Sequence, residues 1–393
     1  MSPPRIPATV WALGFVSLFM DLSSEIIHSL LPLFLTTGLG ASVATVGLID
    51  GIAESTASIS KVFSGYFSDR LGRRTPLILL GYGLAVLSKP LFALAGSAGV
   101  VLAARFADRI GKGLRGAPRD ALIADVTPPE IRGRAFGLRQ ALDTAGGLFG
   151  PLLAVALMFL FSSDMRAVFW VATIPGFASL AIILWSVRDP ERPADAQARP
   201  PLRIRDAARF DASFWLVVTI GAVFTLARFS EGFLVLRAHD LGLKLALAPM
   251  VLVAMNLVYS GGAYPAGILS DRIHPRILFA LGLACLIAAD LLLAWGEDLT
   301  TAFAGISLWG AHMALTQGLL SKLVADRAPD HLRGSAFGIF NLASGIALLA
   351  ASVVAGLLWD RIGPSATFLA GAGFAGLALV MILISAARKG PRS

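Results

Sequence analysis

The chain is poor in charge: Asp, Glu, Lys and Arg make up 15% of its 393 residues. A soluble domain of this size needs a charged surface, which this composition does not supply. Cysteine is scarce too, since the single Cys285 excludes any disulfide within the chain. No glycine-rich phosphate loop of the Walker type occurs, which disfavours an ATP-driven pump.

Histidine is also sparse, and the five histidines form no Ser/His or metal-ligating constellation. We therefore expect that the protein is not an enzyme and holds no cofactor and no resident metal ion. The formal net charge is +8. Because the basic residues lie between apolar runs and not on one basic face, we expect no nucleic-acid partner.

Long apolar runs dominate the sequence, and 56% of the residues are hydrophobic. Runs of about twenty residues can cross roughly 30 Å of hydrocarbon as helices. We predict an all-α membrane protein with twelve transmembrane helices. The predicted spans are residues 8–36, 42–66, 75–96, 98–122, 134–160, 166–187, 212–237, 244–268, 276–296, 300–324, 334–358 and 365–386. The first run has no small-residue cleavage site, so we expect no cleavable signal peptide.

The links between the spans alternate between many and few basic residues, and this alternation indicates the orientation of the chain in the membrane. One set of links contains Arg70, Arg73 and Arg74; Arg132 and Arg134; Arg188 to Arg209; Arg272 and Arg276; Arg327 and Arg333; and Arg388, Lys389 and Arg392. The opposite links hold few basic residues, chiefly Arg166, Lys244 and Arg361. By the positive-inside rule, we expect the first set and both termini in the cytoplasm.

The two halves of the chain resemble each other at an offset of about 201 residues. The segment from Gly65 to Arg70 is echoed by the segment from Gly267 to Arg272, and Ala124-Asp125 is echoed by Ala325-Asp326. We predict two pseudo-symmetric six-helix bundles, residues 1–187 and 212–393, joined by a cytoplasmic linker at 188–211. In membrane proteins, such repeats place the binding site at their interface near the midplane.

Three motifs carry a family resemblance. The loop Gly65-x-x-x-Asp69-Arg70-x-Gly72-Arg73-Arg74 resembles the signature loop of the major facilitator superfamily, and Arg105 falls where the second motif of that family has its arginine. Gly146-x-x-x-Gly150-Pro151 is similar to the Gly-Pro motif of its proton-coupled exporters, although Ala154 and Val155 replace the glycine pair that normally follows.

The run from Asp108 to Asp120 resembles a poorly characterised prokaryotic branch of the superfamily. The resemblance implies alternating access, a cavity lined by spans one, four, seven and ten, and a monomer. It also implies the cytoplasmic (inner) membrane of a bacterium or archaeon. Gly146, Gly150 and Pro151 are then a helix-packing motif.

The signature loop also has a physical interpretation. Its glycines allow a tight turn, and Asp69 can lie at the positive end of a neighbouring helix or pair with an arginine. We predict a gating latch on the cytoplasmic side, formed by Gly65, Asp69, Arg70, Gly72 and Arg73 and repeated at Asp271 and Arg272. The alternative is that these arginines only enforce the topology.

Charged residues within the spans give the most information about function. Each would cost about 2.5–3.5 kcal/mol at the centre of a lipid-facing helix. Span four carries Arg105, Asp108, Arg109 and Lys112 within an arc of about 100°, so this face is wet or paired. Spans one and two carry stripes of their own, namely Asp21, Glu25 and His28, and Asp50, Glu54, Ser58 and Lys61.

Two interpretations of these groups stay open. In the first, carboxylates of spans one and two simply neutralise the cations of spans three and four. In the second, some cations bind a solute anion while a buried carboxylate takes up a proton. Arg105 has a further alternative as a brace between helices, and His28 as a hydrogen-bonding spacer.

On the second interpretation, two groups of residues are predicted. The substrate-binding candidates are Arg105, Arg109, Lys112, Arg228 and Trp309, and the proton-coupling candidates are Asp21, Glu25, Asp50, Glu54 and Glu231. Asp21, Glu25 and His28 carry metal-ligand atoms, but no second cluster completes a metal site.

The sequence therefore predicts a secondary active transporter, with a small-molecule solute, protons and the lipid bilayer as its partners. We expect a small organic solute, anionic or amphipathic, moved by proton-coupled efflux as an antiporter. Uptake of an organic anion by proton symport, and export of a cationic drug or a divalent metal, remain alternatives. A channel suits the opposed charge stripes less well than a binding protein does.

Overall fold

The computed structural model describes residues 5–71, 73–189, 210–316, 319–325, 327–328 and 333–387. Within these ranges the chain is helical and contains no strand, which confirms the all-α prediction. The helices before the linker are α1 (Ala8–His28), α2 (Leu31–Leu33), α3 (Val43–Leu71), α4 (Thr75–Leu94), α5 (Ala98–Val126), α6 (Arg132–Leu160) and α7 (Met165–Ser186). Short turns of π-helix and 3₁₀-helix lie at Phe34–Gly38 and Pro129–Ile131.

A second series of helices follows the linker. They are α8 (Ala212–Leu226), α9 (Gly232–Asp240), α10 (Met250–Arg272), α11 (Pro275–Trp295), α12 (Leu299–Thr316), α13 (Leu319–Ala325), α14 (Arg333–Arg361) and α15 (Pro364–Ala387). Described helices lie at each of the twelve predicted spans, and eight helical stretches are long and apolar enough to cross a membrane. Helices α3 and α5 carry the predicted charged stripes and are less apolar for that reason.

Two predicted spans are interrupted. The apolar pattern predicts one continuous span over 212–237, and this prediction is wrong, because α8 ends at Leu226 and α9 begins only at Gly232. The predicted span 8–36 is also not one continuous α-helix, because α1 ends at His28 and the chain continues through α2 and the π-helical turn. Interrupted membrane helices occur where backbone is buried in protein or lines a cavity, and they mark binding sites in transporters.

The chain forms two compact units. One contains Met1–Phe34 and Thr56–Pro201, and the other contains Leu35–Ser55 and Leu202–Ser393. The first part of α3 therefore packs with the second unit, although it precedes the predicted boundary. The division at 187 and 212 remains a prediction, and residues 190–209 of the predicted linker lie outside the described ranges.

Within the second unit, the start of α3 is held by α14. The Asp360 carboxylate accepts hydrogen bonds from the backbone N–H groups of Val43 and Ala44, at 3.1 and 2.8 Å. These N–H groups have no partner inside α3, and they carry the positive end of the helix dipole. Asp360 thus caps a helix more than 300 residues away in sequence, which explains why Leu35–Ser55 packs with this unit.

Two helix starts on the side of the basic links are capped by carboxylates at the ends of the predicted linker. Asp189 accepts from the N–H groups of Arg74 and Thr75 at the start of α4, with distances of 2.9 and 3.0 Å. Asp211 accepts from Phe214 N at the start of α8, at 2.9 Å. This hydrogen bond, together with one from the Ser213 hydroxyl, lowers the pKa of Asp211.

On the opposite side, two arginines close the ends of helices. Arg166 donates to the carbonyls of Ala93 and Ala95, which end α4, at 2.8 and 2.6 Å. Arg237 donates to the carbonyls of Leu293 and Gly296, which end α11, at 2.8 Å each. Cations at these positions satisfy unpaired carbonyls and interact favourably with the helix dipole.

In the first unit, α1 packs against α6 and α7, and α4 packs against α5 and α7. A buried apolar core lies towards the start of α1 and the ends of α5 and α7, and it includes Leu13, Met20, Ile78, Leu122 and Ile183. The second half of α1, the last turns of α4 and the first part of α5 lie beyond this core and carry the charged side chains. The fold therefore gathers polar residues from three helices.

Candidate functional site

The centre of the candidate site is an ion pair between α4 and α5. Lys89 Nζ donates to Asp108 Oδ1 at 2.9 Å and to Ser24 Oγ, on α1, at 2.8 Å. The Lys89 side chain is completely buried, and the Asp108 side chain is 3% exposed. Because neither charge reaches solvent, each is tolerated only with the other present. This pair ties three helices together.

Arg109 and His28 extend this pair towards the end of α1. Arg109 Nε lies 3.5 Å from Asp108 Oδ2, and Arg109 Nη2 lies 3.0 Å from His28 Nε2. On its other side, His28 Nδ1 lies 3.7 Å from Glu25 Oε1. His28 therefore stands between a cation of α5 and a carboxylate of α1, next to the point where α1 ends.

Three further cations lie along α5. Arg105 and Arg115 are buried, whereas Lys112 is exposed. The Arg115 guanidinium lies 4.5 Å from the centre of the Tyr82 ring, a cation–π contact. The charges of Lys112 and Arg105 both act on Glu25 of α1.

A second group of charges lies where α1, α5 and α6 meet. The carboxyl groups of Asp21 and Asp143 are neighbours. Asp143 also lies 3.5 Å from Arg139 and 3.9 Å from Arg119, and Arg119 donates to Ser17 Oγ at 3.0 Å. Neighbouring carboxylates repel each other when both are charged, which favours a proton on one of them. The pair is therefore a candidate place for holding a proton.

The glycines of the predicted packing motif set the distance between α6 and α1. A Cβ atom on Gly146 would lie 2.5 Å from the Leu18 carbonyl oxygen, and one on Gly150 would lie 2.6 Å from Glu25 Cβ. Such contacts leave no room for a side chain. Gly146, Gly150 and the buried Pro151 therefore bring α6 directly against the turns of α1 that carry Asp21 and Glu25.

Most of the predicted gating motif lies outside the described residues. Gly72 is outside them, as are the side-chain surroundings of Gly65, Asp69, Arg70 and Asp271. Arg73 is exposed, and so is Arg272 at the end of α10. The neighbouring Arg74 is buried, donates to Ser68 Oγ at 2.6 Å and lies 3.4 Å from Asp125 Oδ2. The latch itself remains a prediction.

In the second unit, the break between α8 and α9 contains two of the predicted residues, Arg228 and Glu231. The Arg228 guanidinium lies 5.6 Å from the centre of the Phe224 ring. Between the two, Ser230 Oγ donates to Asp50 Oδ2 at 2.6 Å. Asp50 is buried, and Glu54, one turn further along α3, is half-buried. The structure thus brings Asp50 to the interrupted span.

Trp309 is a packing residue in this arrangement. It is 1% exposed, and its ring centre lies 5.3 Å from that of Phe229, which also contacts Phe233 and Phe368. Its Nε1 has no hydrogen-bond partner among the described residues. Its role as a solute contact stays a prediction. One turn later, the buried His312 donates from Nδ1 to the Gly282 carbonyl at 2.9 Å.

Sequence reasoning missed Asp290, which is completely buried on α11. Neither of its carboxylate oxygens has a hydrogen-bond partner among the described residues. Gly371 on α15 leaves room for this side chain, because a Cβ atom there would lie 2.6 Å from Asp290 Oδ2. The sequence contains a signal for this residue, because Asp290 is the only charged residue from Ile277 to Gly296. Charged residues inside membrane spans are rare and often functional.

Metal ligands are not grouped in the described ranges, where no three His, Cys, Asp or Glu side chains are close enough to share an ion. The site that these ranges contain is instead one of cations, carboxylates and one imidazole around α5.

Two interrupted spans, a duplicated sequence and buried charges at the breaks define a membrane transport protein. Comparison with known families matches the chain to the Major Facilitator Superfamily over residues 13–351 and 218–392. The protein belongs to this superfamily.

Similar proteins agree with this assignment. The uncharacterized MFS-type transporter MJ1317 of Methanocaldococcus jannaschii is 32% identical over 386 residues, which cover 96% of this chain and 95% of its own. The multidrug resistance protein MdtH of Photorhabdus laumondii is 29% identical over 156 residues, 40% of this chain and 38% of its own. The crystal structure of the human organic anion transporter MFSD10 has the same fold, with a TM-score of 0.68, 20% identity and coverage of 97% and 100%.

Proposed function

We propose that this protein is a secondary active transporter of a small organic anion, and that α5 provides the anion site. The supporting observation is an excess of positive charge in the first unit. The cations of this region are Lys89, Arg105, Arg109, Lys112, Arg115, Arg119 and Arg139, whereas its carboxylates are Asp21, Glu25, Asp108, Asp120 and Asp143. Asp108 is already engaged by Lys89. A site with net positive charge attracts anions and disfavours cations.

Lys112 is the residue through which we expect the solute to enter this site. It is exposed, whereas Arg105, Arg109 and Arg115 are buried. Its charge acts on both Asp21 and Glu25. An anion bound at Lys112 would neutralise that charge and so favour protonation of these carboxylates. Anion and proton then promote each other's binding, which couples the two.

This linkage favours symport, because two ligands that strengthen each other's binding travel together. Efflux by proton antiport is the second candidate. It is supported by the Gly146, Gly150 and Pro151 segment, which packs on the carboxylate-bearing turns of α1, and by the partial similarity to a multidrug resistance protein. The two candidates differ in the sign of the effect of solute on proton binding.

The test is a thermal-shift experiment on purified protein with benzoate, citrate, tetraethylammonium and Mg²⁺ at matched ionic strength. A ligand of the native state stabilises it in proportion to the logarithm of its concentration over Kd. We expect stabilisation by an organic anion that is lost in Lys112→Gln and kept in the control Arg134→Gln, an exposed arginine at the start of α6. Stabilisation by the cation or by Mg²⁺ alone would contradict the anion site.

The anion identified in this way then distinguishes the two directions. In an unbuffered solution, symport predicts proton uptake by the protein when the anion binds, whereas antiport predicts proton release. Glu25→Gln or Asp21→Asn should remove whichever signal is present. Anion binding without any proton exchange would disprove proton coupling at these carboxylates while leaving the anion site intact.

A further inference from the structure

A groove separate from the charged site lies within the second unit. It is formed by the starts of α8 and α11, by α13 and by the last part of α15. About 620 Å³ of space lies between these walls, open solvent included. None of the predicted solute or proton residues lines it.

One end of the groove is lined by polar residues, and the rest of it is lined by apolar residues. The polar residues lie on the side of the basic links, since Ser213 and Arg276 are at the starts of α8 and α11 and Arg327 follows the end of α13. The apolar lining residues lie within the helices, and they are Leu216, Val217, Ile220, Phe279, Leu320, Leu323 and Ile382. A ligand that fits this order has a charged head at the membrane surface and an apolar tail inside the membrane.

The charge at the head end is positive. Arg276 and Arg327 are both half-buried, and neither forms an ion pair within 4 Å with a described carboxylate. Among the described carboxylates, Asp211 is acted on by the charge of Arg327, which helps to lower the pKa of Asp211. The Asp211 oxygens also accept hydrogen bonds from Phe214 N and Ser213 Oγ. Paired arginines suit a phosphate group.

The first unit has an arginine equivalent to Arg276, but none equivalent to Arg327. At the offset that aligns Gly65 with Gly267, Arg276 falls where Arg74 stands, and Arg74 lies 3.4 Å from Asp125 Oδ2 and donates to Ser68 Oγ. Aligning Ala124-Asp125 with Ala325-Asp326 places Val126 where Arg327 stands, and Val126 packs on the apolar core of the first unit. Arg327 is therefore a charge that only the second unit has at this position.

We propose that this groove binds an anionic phospholipid of the membrane leaflet next to the basic links. The phosphate lies between Arg276 and Arg327, and an acyl chain lies along Leu216, Ile220 and Ile382. Basic pockets between transmembrane helices on the cytoplasmic side hold such headgroups in other membrane proteins. The proposal is independent of which solute the transporter carries.

The test measures lipid binding to the purified full chain by native mass spectrometry, with thermal unfolding as a second measurement. The probes are dioleoylphosphatidylglycerol, dioleoylphosphatidylcholine and inorganic phosphate. We expect phosphatidylglycerol to bind most tightly and to raise the melting temperature, and we expect Arg276→Gln/Arg327→Gln to weaken its binding about tenfold or more. Arg276→Lys/Arg327→Lys should retain most of the binding, because the charges remain.

A matched control removes the same charge elsewhere: Arg134→Gln/Arg188→Gln changes two exposed arginines near the basic links of the first unit. It should bind phosphatidylglycerol as the unchanged protein does. Unchanged binding in Arg276→Gln/Arg327→Gln, or equal binding of both phospholipids, would overturn the proposal. Equal stabilisation by inorganic phosphate would show an anion site without lipid specificity, which also contradicts it.

Discussion

At the scale of single residues, the buried charges differ in whether the fold supplies a partner. Lys89 is completely buried and reaches both Asp108 and Ser24. Removing one member of a buried ion pair leaves an uncompensated charge, which costs about 3–5 kcal/mol. Lys89→Met should therefore lower the free energy of unfolding by about that amount, measured by thermal or denaturant unfolding in detergent.

The double variant Lys89→Met/Asp108→Asn provides the control. It removes both charges, and Asn keeps the size and shape of the Asp side chain. We expect it to be more stable than Lys89→Met alone, since rescue by the second substitution is the sign of a buried pair. If the loss of stability in the double variant equals the sum of the losses in Lys89→Met and Asp108→Asn, the two side chains do not stabilise the protein through their interaction.

Asp290 is the opposite case, a buried carboxyl group without a hydrogen-bond partner among the described residues. Leaving a buried polar group unsatisfied costs about 1–3 kcal/mol. Asp290→Leu keeps a similar shape without polar atoms, so we expect it to raise the melting temperature by several degrees. Asp290→Asn, which keeps polar atoms, should gain less. A loss of stability in Asp290→Leu would show that the carboxyl group has a partner in the membrane-embedded protein.

The sequence predicts where a side chain lies when helix geometry alone determines its position. The stripe from Arg105 to Lys112 follows from about 100° of rotation per residue, which is a local property. The partner of Lys89 is not local, because it depends on how α4 packs against α5. The approach of Asp143 to Asp21 likewise depends on α6, whose glycines allow close packing on α1. Distances of this kind are set by tertiary contacts.

At the scale of helices, the interruptions were missed for a physical reason. Hydropathy measures whether a segment is apolar enough to insert, and 212–237 is apolar on both sides of its polar segment. Hydropathy does not show where the backbone hydrogen bonds of a helix end. The polar run Arg228-Phe229-Ser230-Glu231 coincides with the break, and Pro32 follows the end of α1. Both were visible in the sequence as signals of an irregular backbone.

Helix packing gives a prediction with an internal control. A side chain at Gly150 would clash with Glu25 Cβ, whereas a Cβ atom at Gly147 meets nothing within 4 Å. Gly150→Val should force α6 away from α1 and cost about 1–3 kcal/mol of stability, as other overpacked sites do. Gly147→Val should cost much less. Thermal unfolding compares the two, and equal losses would mean that helix propensity alone is responsible.

Helix ends give a second prediction at this scale. Arg166 donates to two carbonyls at the end of α4, at 2.8 and 2.6 Å. Hydrogen bonds from charged groups contribute about 1.5–3 kcal/mol, and Arg166→Met keeps the aliphatic part of the side chain but loses them. We expect a lower melting temperature for Arg166→Met, and a smaller change for Arg166→Lys. Equal stability of Arg166→Met and the unchanged protein would contradict the capping role.

At the scale of the whole molecule, the all-α class followed from the apolar runs, and the superfamily from the duplicated loop motif. The division at 187 and 212 stays a prediction. The structure groups Leu35–Ser55 with the second unit, where Asp360 of α14 caps the start of α3. Because this contact joins residues more than 300 positions apart, no local pattern in the sequence indicates it.

The orientation of the chain can be tested because Cys285 is its only cysteine. In a Cys285→Ala background, single cysteines replace Arg73, in the link between α3 and α4, or Ser97, in the link between α4 and α5. Both positions are exposed.

The arginines of the link between α3 and α4 favour the cytoplasm. Arg166, one of the few basic residues on the other side, is occupied in capping α4. A membrane-impermeant maleimide added to intact cells should therefore label Ser97→Cys and not Arg73→Cys, while permeabilised cells should show labelling of both. The reverse pattern would place both termini outside and would move the proposed phospholipid site to the outer leaflet.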